Sequence, residues 1–120
     1  MVVKYSYLPS NVNYIKHNKN RGLAAARNTG LYESSEKLVA YLDDDDVWLP
    51  GRLEAQIKLW ESLDRETKKK IACIQVGAEI IDTEHNLLDV YLPFNEGNLK
   101  DSIINYGTGT ISSCFLFIKE

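Results

Sequence analysis

The sequence predicts a layered α/β fold, and three observations lead to it. Apolar runs of strand length alternate with helical periodicity along the 120 residues, and the connections between them are short. One apolar run, 37–42, is nearly continuous, as in a central strand covered on both faces. Leu53, Ile57 and Trp60 repeat at i, i+4 and i+7, which marks a helix with one apolar face. A chain of this length favours a single domain with one core.

The N-terminal quarter predicts one short strand and one helix. Residues 12–17 alternate weakly between apolar and polar side chains, which favours a strand. The polar stretch 17–22 is typical of a loop, and the alanine-rich stretch 23–34 is a good helix former. We expect Asn20 to cap that helix.

The rest of the pattern predicts a second helix and further strands. Pro50 suits a first helical turn, and the periodicity predicts an amphipathic helix over 50–63 that covers the sheet. A polar turn at 82–86 joins two strands as a hairpin, and 95–100 forms a loop. Two long apolar runs and one short run are the strand candidates: 71–81, 111–119 and 87–92.

Charge and composition exclude two classes of protein. Asp and Glu number 17 against 14 Lys and Arg, a net charge of -3, so the basic surface of a nucleic-acid-binding protein is missing. No run approaches the roughly 18 apolar residues of a membrane span, and we expect no signal peptide in the first residues. We therefore expect a cytoplasmic location, and a membrane-anchored parent protein stays open. Cys73 and Cys114 lie in apolar runs and are expected to be buried and reduced.

Four consecutive aspartates, 43–46, follow the predicted central strand directly. Neighbouring carboxylates repel by about 1 kcal/mol per close pair in water, so a cation nearby would offset the repulsion. If the strand stays extended to residue 45, Asp43 and Asp45 project to one face roughly 6–7 Å apart. Mg²⁺ and Mn²⁺ prefer oxygen ligands, and Mg²⁺ often takes only one or two carboxylates plus phosphate oxygens. The run therefore predicts a divalent-metal site for a nucleoside diphosphate beyond the end of a strand.

Other interpretations of the acidic run differ in strength. A solvated turn in which Asp46 caps the next helix stays open. A calcium loop of the EF-hand type fails, because Trp48 occupies the position that needs glycine and Val47 occupies a ligand position.

A second motif, 18–30, joins a glycine loop to a helix. Such a loop presents free N–H groups and a positive dipole end, which favours a phosphate nearby. Arg27 lies about one turn into the helix and can donate two hydrogen bonds to a diphosphate or a base carbonyl. Alternatively, the alanines and Gly30 allow close packing on the sheet while Arg27 pairs with an aspartate. The residues alone do not separate these interpretations.

Together, the stretches 20–30 (NRGLAAARNTG) and 41–50 (YLDDDDVWLP) resemble the inverting family 2 glycosyltransferases of GT-A fold. In that family an N-x-G-x-x-x-A-R-N-x-G helix precedes a strand that ends in L-D-x-D-D-x-x-x-P. The resemblance is close over 14–63 and looser elsewhere. It implies a three-layer α/β/α, Rossmann-like GT-A domain over residues 1–120, with the donor- and metal-binding core at about 14–63.

The resemblance also implies roles for individual residues. Asp43 and Asp45 would be the metal acids of the DxD motif, with Asp45 the direct ligand and Asp43 near the ribose or a metal-bound water. Asp46 would be a supporting or capping residue. The implied cofactor is Mg²⁺ or Mn²⁺, and the implied location includes the inner face of the membrane. The implied partners are a nucleotide-diphosphate sugar donor and a glycan or lipid-linked acceptor, with no nucleic acid. The donor-binding set would be Asn20, Gly22, Arg27, Asp43 and Asp44.

Two segments of the family pattern have no counterpart in the sequence. The usual first strand, of the V-S-V-I-I-P-x-Y-N kind, does not precede Asn11, and Glu120 is the one weak candidate for the general base that an inverting transfer needs. The catalytic base is therefore unknown. We expect a domain incomplete at both ends, whose exposed sheet edge invites homo-oligomers.

Two further functions compete with an active transferase. A noncatalytic GT-A-like module that serves binding or assembly is the alternative. A nucleotidyltransferase also uses acidic metal sites, but it would need a glycine-rich basic phosphate loop near the first strand, and the sequence has none.

Overall fold

The computed structural model describes residues 2–3, 9–93, 97 and 111–119. The contacts form two compact units, Met1–Ser35 and Glu36–Glu120, and each unit contains both helix and strand. The mixed α/β composition predicted from the sequence is therefore confirmed, whereas the three-layer arrangement stays a prediction. Within the described residues, no helix combines the length and the apolar character that crossing a membrane requires.

The first unit consists of a two-stranded antiparallel sheet and one helix. Strand β1 (Val2–Val3) pairs with β2 (Tyr14–Ile15), and helix α1 spans Leu23–Glu33. The predicted strand and helix are present, although the strand is shorter than 12–17. The His17 Nε2 atom lies 2.8 Å from the Thr29 hydroxyl, which ties the residues after β2 to the helix.

The prediction that Asn20 caps α1 is wrong. Gly22 is the N-cap residue, and the helix start has no side-chain capping bond. Gly22 adopts φ 81°, which turns the chain so that its own N–H meets the Asn20 Oδ1 atom at 2.8 Å. The Asn20 side-chain oxygen therefore accepts its hydrogen bond from Gly22, before the first residue of the helix.

The second unit begins with one strand and two helices, and the remaining strands follow. The elements in chain order are β3 (Leu38–Ala40), α2 (Arg52–Ser62), α3 (Arg65–Lys68), β4 (Cys73–Gln75), β5 (Ala78–Ile81), β6 (Leu87–Tyr91), the 3₁₀ helix Ser112–Cys114 and β7 (Phe115–Ile118).

Strand β7 is the middle strand of a three-stranded sheet. Both β3 and β4 pair with it in antiparallel register, in the order β3-β7-β4. The sequence favoured 37–42 as the central strand, but in the described sheet β3 is an edge. Phe115 and Leu116 are buried and explain the difference, because they make β7 the strand that the core covers most completely.

Two predicted boundaries in the second unit are also wrong. The run 71–81 forms two strands, β4 and β5, because the strand is interrupted at Gly77. At this position an added Cβ would lie 2.7 Å from the Tyr91 carbonyl oxygen. Pro50 is not in the first helical turn. The Arg52 N–H donates to the Leu49 carbonyl at 3.2 Å, and the left-handed Gly51 then starts α2 at Arg52.

The predicted hairpin is confirmed, with β5 and β6 in antiparallel register. The run 111–119 is a strand only from Phe115 onward, since the 3₁₀ helix precedes it. Of the predicted loop at 95–100, only Gly97 is described. Both cysteines are free, as expected. Cys114 is buried and Cys73 is partly buried, and burial raises the pKa of each thiol.

A buried amide joins α2 to the sheet. Gln56 is 1% exposed, and its Nε2 atom donates to the Ile74 carbonyl at 2.8 Å and to the Cys114 carbonyl at 3.1 Å. These two bonds satisfy the amide nitrogen, because an unmade hydrogen bond in the interior costs free energy, whereas the buried Oε1 atom has no partner among the described residues. One side chain thus connects the helix to β4 and to the 3₁₀ helix.

Replacing Gln56 by alanine is expected to lower the free energy of unfolding by about 2–4 kcal/mol, because it leaves a cavity and removes two buried hydrogen bonds. Urea denaturation followed by circular dichroism measures the loss. Lys58→Ala is the matched control on the same helix. Lys58 is exposed and pairs with Glu54 at 2.6 Å, so its removal should change stability by less than about 0.5 kcal/mol. Equal losses in the two variants would contradict this role of Gln56.

Two exposed carboxylates make the stability of the chain depend on pH. Hydrogen bonds from Thr67 lower the pKa of Asp64, and hydrogen bonds from Asn86 lower the pKa of Asp82. A folded-state pKa below the usual 3.8 favours folding above that pH, and the contribution is lost as the pH falls through the lowered value. Denaturation at about pH 5 and about pH 2.5 should therefore show a smaller acid loss in the D64N/D82N variant than in the wild type. The same loss in both proteins would disprove the assignment.

Candidate functional site

The four aspartates form a turn rather than the end of a strand. Strand β3 stops at Ala40, and the Asp46 N–H donates to the Asp43 carbonyl at 3.2 Å, with Asp44 and Asp45 at the tip. The expected extended chain through residue 45 is therefore wrong, and so is the two-residue alternation derived from it. A turn lets the carboxylates at its tip diverge into solvent, where their repulsion is weaker. We call residues 43–46 the acidic turn.

Asp43 is anchored by two serines of the 3₁₀ helix. Its N–H donates to the Ser113 Oγ atom at 3.0 Å, and the Ser112 hydroxyl donates to its Oδ2 atom at 3.2 Å. Asp44 and Asp45 are exposed, whereas Asp43 is partly buried. The structure thus fixes one carboxylate and leaves two accessible. The sequence interpretation missed both serines, although a polar pair at the start of an apolar run was a visible signal.

The segment after the acidic turn contacts the same 3₁₀ helix. The Trp48 Nε1–H donates to the Ser113 carbonyl at 3.0 Å, and the Arg52 guanidinium lies over the Trp48 ring, 4.3 Å from its centroid. The Arg52 Nη2 atom donates to the Phe115 carbonyl at 3.2 Å. Burial lowers the pKa of Arg52 from its usual value, but a guanidinium stays charged. These two residues were also missed.

Asp46 does not cap α2. The helix begins after Gly51, and no side chain makes a capping bond there. The turn closed by Leu49 and Arg52 separates Asp46 from the helix start, so the capping interpretation is wrong. Asp46 instead lines a cavity beside the acidic turn.

This cavity has a volume of about 840 Å³ and lies between the acidic turn and the β5-β6 hairpin. Asp45 and Asp46 line it at one end, and most of the other lining residues are apolar. Two aromatic residues, Trp48 and Tyr91, also line it, and the Gln75 amide fixes the Tyr91 hydroxyl at 2.7 Å. An apolar and aromatic wall beside carboxylates can hold a ligand that has an apolar face and a polar end.

The donor set of the acidic turn suits a hard cation with few protein ligands. Across the residues that the structure describes, no group of three or more His, Cys, Asp or Glu side chains is arranged to hold a metal ion. Asp44 and Asp45 are the accessible carboxylates of the acidic turn. Mg²⁺ is often bound through one or two carboxylates when phosphate oxygens complete its shell.

The glycine motif lies in the first unit. Gly22 adopts φ 81°, and its N–H already donates to Asn20, so this N–H is not free for a phosphate. Arg27 is partly buried on α1. At Gly30, an added Cβ would meet no heavy atom of the described chain within 4 Å. The packing interpretation of Gly30 and the roles of Asn20, Gly22 and Arg27 in donor binding stay predictions.

The two glycines of this motif give opposite expectations for stability. Gly22→Ala places a Cβ on a backbone with φ 81° and ψ 168°, a region essentially restricted to glycine, and should destabilise the start of α1 by about 1–3 kcal/mol. Gly30→Ala removes a glycine from a helix interior with open space around it and should stabilise by about 0.5–1 kcal/mol. Amide hydrogen exchange in α1 reports both changes. Effects of the same sign would show that backbone conformation does not explain Gly22.

Comparison with known proteins identifies the family of the chain. Glycosyl transferase family 2 matches residues 1–120. The chain therefore belongs to glycosyl transferase family 2, and this membership implies a GT-A nucleotide-sugar transferase fold. No solved structure matches the chain.

Three relatives illustrate the similarity. An uncharacterized glycosyltransferase of Rickettsia felis is 30% identical over 107 residues, which are 85% of this chain and 17% of the relative. The uncharacterized glycosyltransferase MJ1057 of Methanocaldococcus jannaschii is 30% identical over 93 residues, 78% of this chain and 30% of the relative. The UDP-Glc:alpha-D-GlcNAc-diphosphoundecaprenol beta-1,3-glucosyltransferase WfgD of Escherichia coli is 38% identical over 50 residues, 42% of this chain and 20% of the relative. The matched region thus covers less than a third of each of these relatives.

Proposed function

We propose that this chain forms the donor-binding part of a glycosyltransferase that moves a sugar from a nucleotide-diphosphate sugar to an acceptor hydroxyl. Family membership supports the reaction class. The observation that carries the site is the acidic turn, in which two serines hold Asp43 while Asp44 and Asp45 remain exposed. A fixed carboxylate beside accessible ones suits a cation that a diphosphate ligand brings or completes.

Mg²⁺ or Mn²⁺ is the proposed cofactor, with Asp45 as the direct ligand and Asp43 as the second metal acid. When bound, such an ion neutralises charge on the leaving nucleoside diphosphate. Asp43 already accepts one hydrogen bond from Ser112, and a carboxylate has further lone pairs for a ribose hydroxyl or a water. Asp44, at the tip of the turn, is the proposed additional donor contact.

Asn20, Gly22 and Arg27 are the proposed donor-binding residues of the first unit, and a three-layer GT-A arrangement is the proposed fold. The Gly22 N–H is used by Asn20, so the helix contributes through the N–H groups that follow it and through its dipole. The Arg27 guanidinium is the proposed bidentate donor to the diphosphate or the base.

The cavity beside the acidic turn is the proposed place of the acceptor. Its apolar and aromatic walls suit a glycan or a lipid-linked acceptor, and the named acceptor of the relative WfgD carries a diphosphoundecaprenol. Such an acceptor would bring the enzyme to the inner face of the membrane. In an inverting transfer the acceptor oxygen bonds to the anomeric carbon, the bond to the nucleoside diphosphate breaks, and a base takes the hydroxyl proton. No described residue is assigned as that base, and Glu120 lies outside the described residues.

The metal-dependent binding of UDP tests this function, and UDP is chosen because WfgD is named for a UDP-sugar. We expect UDP to bind more tightly with Mn²⁺ than with EDTA in isothermal titration calorimetry. Asp45→Asn should weaken the Mn²⁺-dependent binding by about tenfold or more, since roughly 1.4 kcal/mol of ligand energy is that factor. Asp89→Asn removes the same charge from an exposed position on β6 and should leave binding unchanged.

A UDP affinity that depends neither on Mn²⁺ nor on the Asp45 side chain would contradict the proposal. If the chain instead did not bind UDP and formed a stable oligomer in light scattering, the noncatalytic assembly module would be favoured. Exposed apolar residues of the hairpin segment, such as Leu88 at 64% and Leu92 at 70%, are the observation behind that second candidate. The sheet edges at β3 and β4 are its proposed contact sites.

A further inference from the structure

We propose that Trp48 is a positioning residue for the Asp43 carboxylate, and that it acts through the backbone of the 3₁₀ helix. This inference rests on the proposed function, because it assigns Asp43 to the donor site. It adds a residue outside the acidic turn that controls how well the turn binds its ligand.

Three consecutive carbonyls of the second unit each accept a hydrogen bond from a different side chain. Trp48 donates to Ser113 at 3.0 Å, Gln56 donates to Cys114 at 3.1 Å, and Arg52 donates to Phe115 at 3.2 Å. Arg52 and Gln56 are four residues apart on one face of α2, and Trp48 lies in the segment before the helix. We call these three donors the donor row.

The serine side chains of the same backbone hold Asp43. The Ser113 Oγ atom accepts the Asp43 N–H, and the Ser112 hydroxyl donates to the Asp43 carboxylate. Ser113 therefore receives a bond from Trp48 at its carbonyl and a bond from Asp43 at its hydroxyl. A shift of the Ser113 backbone moves the group that fixes Asp43.

Within the donor row, Trp48 is the member whose effect can be separated from folding. Gln56 also binds β4 and is almost completely buried, so its loss damages the core. Trp48 is only partly buried, and it bonds the residue that itself contacts Asp43. Its ring also supports Arg52, which stacks on it at 4.3 Å.

Trp48→Phe in the full chain removes the Nε1–H and keeps an aromatic ring for Arg52. Mn²⁺ binding in the presence of UDP, followed by the electron paramagnetic resonance signal of free Mn²⁺, should weaken about 3- to 10-fold, the usual range for one lost hydrogen bond. Trp60→Phe is the matched control, since the only other tryptophan lies on α2 with its ring facing Lys37 and Lys68 at 5.7 and 5.5 Å. That variant should lower the melting temperature and leave Mn²⁺ affinity unchanged.

Ser113→Ala completes a double-mutant cycle with Trp48→Phe. If Trp48 acts through Ser113, the second substitution adds little to the first, so the combined loss of affinity is clearly smaller than the product of the single losses. If the loss of Mn²⁺ affinity in the double variant equals the product of the two single losses, the inference is overturned. It is also overturned if the Trp48 and Trp60 variants both lose Mn²⁺ affinity in proportion to their fall in melting temperature. Unchanged affinity in Trp48→Phe beside normal wild-type binding overturns this inference alone. Absence of Mn²⁺ and UDP binding in the wild type overturns the proposed function with it.

Discussion

The carbonyls at the start of β7 are the constraint on which the second unit depends. Ser113, Cys114 and Phe115 are buried where the 3₁₀ helix changes to a strand. Buried carbonyls need partners, and side chains supply or add to them: Trp48 donates to Ser113, Arg52 donates to Phe115, and Gln56 joins the Val76 N–H on the Cys114 carbonyl. The arrangement sets the distance between α2 and the sheet more specifically than apolar packing could, because hydrogen bonds are directional.

The same backbone links the fold to the acidic turn. Its carbonyls face α2, while the serine hydroxyls beside them hold Asp43. A repulsive run of four carboxylates is thereby attached to the most buried strand of the unit, with its tip left in solvent. Such an attachment limits the freedom of the one carboxylate that must be placed accurately, and it leaves its neighbours able to adapt to a ligand.

The sequence predicted the elements of the fold well and their ends less well. Hydrophobic period and helix propensity are local properties, so α1, α2 and the β5-β6 hairpin could be identified from them. The break at Gly77 and the edge position of β3 depend on which strands meet across the chain, and a linear pattern does not contain that information. The turn at Pro50 and Gly51 had a local signal, since glycine after proline is typical of a turn, and the helical period concealed it.

In the candidate site, too, the local feature could be predicted from the sequence and the long-range contacts could not. The acidic run stood out because a charged block after an apolar strand is visible in one dimension. Ser112 and Ser113 contact Asp43, and Trp48 contacts Ser113, across about 65 to 70 positions of the sequence, so only the folded chain reveals these bonds. Arg52 and Gln56 lie four residues apart on α2, but polar side chains on a helix are usually assigned to solvent, so the sequence did not reveal their partners.

The missing side chain of Gly77 allows two parts of the backbone to come close together. At Gly77 the backbone passes so near the Tyr91 carbonyl that even a methyl group has no room. Gly77 lies between β4 of the three-stranded sheet and β5 of the hairpin, so this contact is made where the chain passes from one sheet to the other. Any larger residue at this position would displace the Tyr91 backbone, and with it the part of the cavity wall that Gly77 and Tyr91 share.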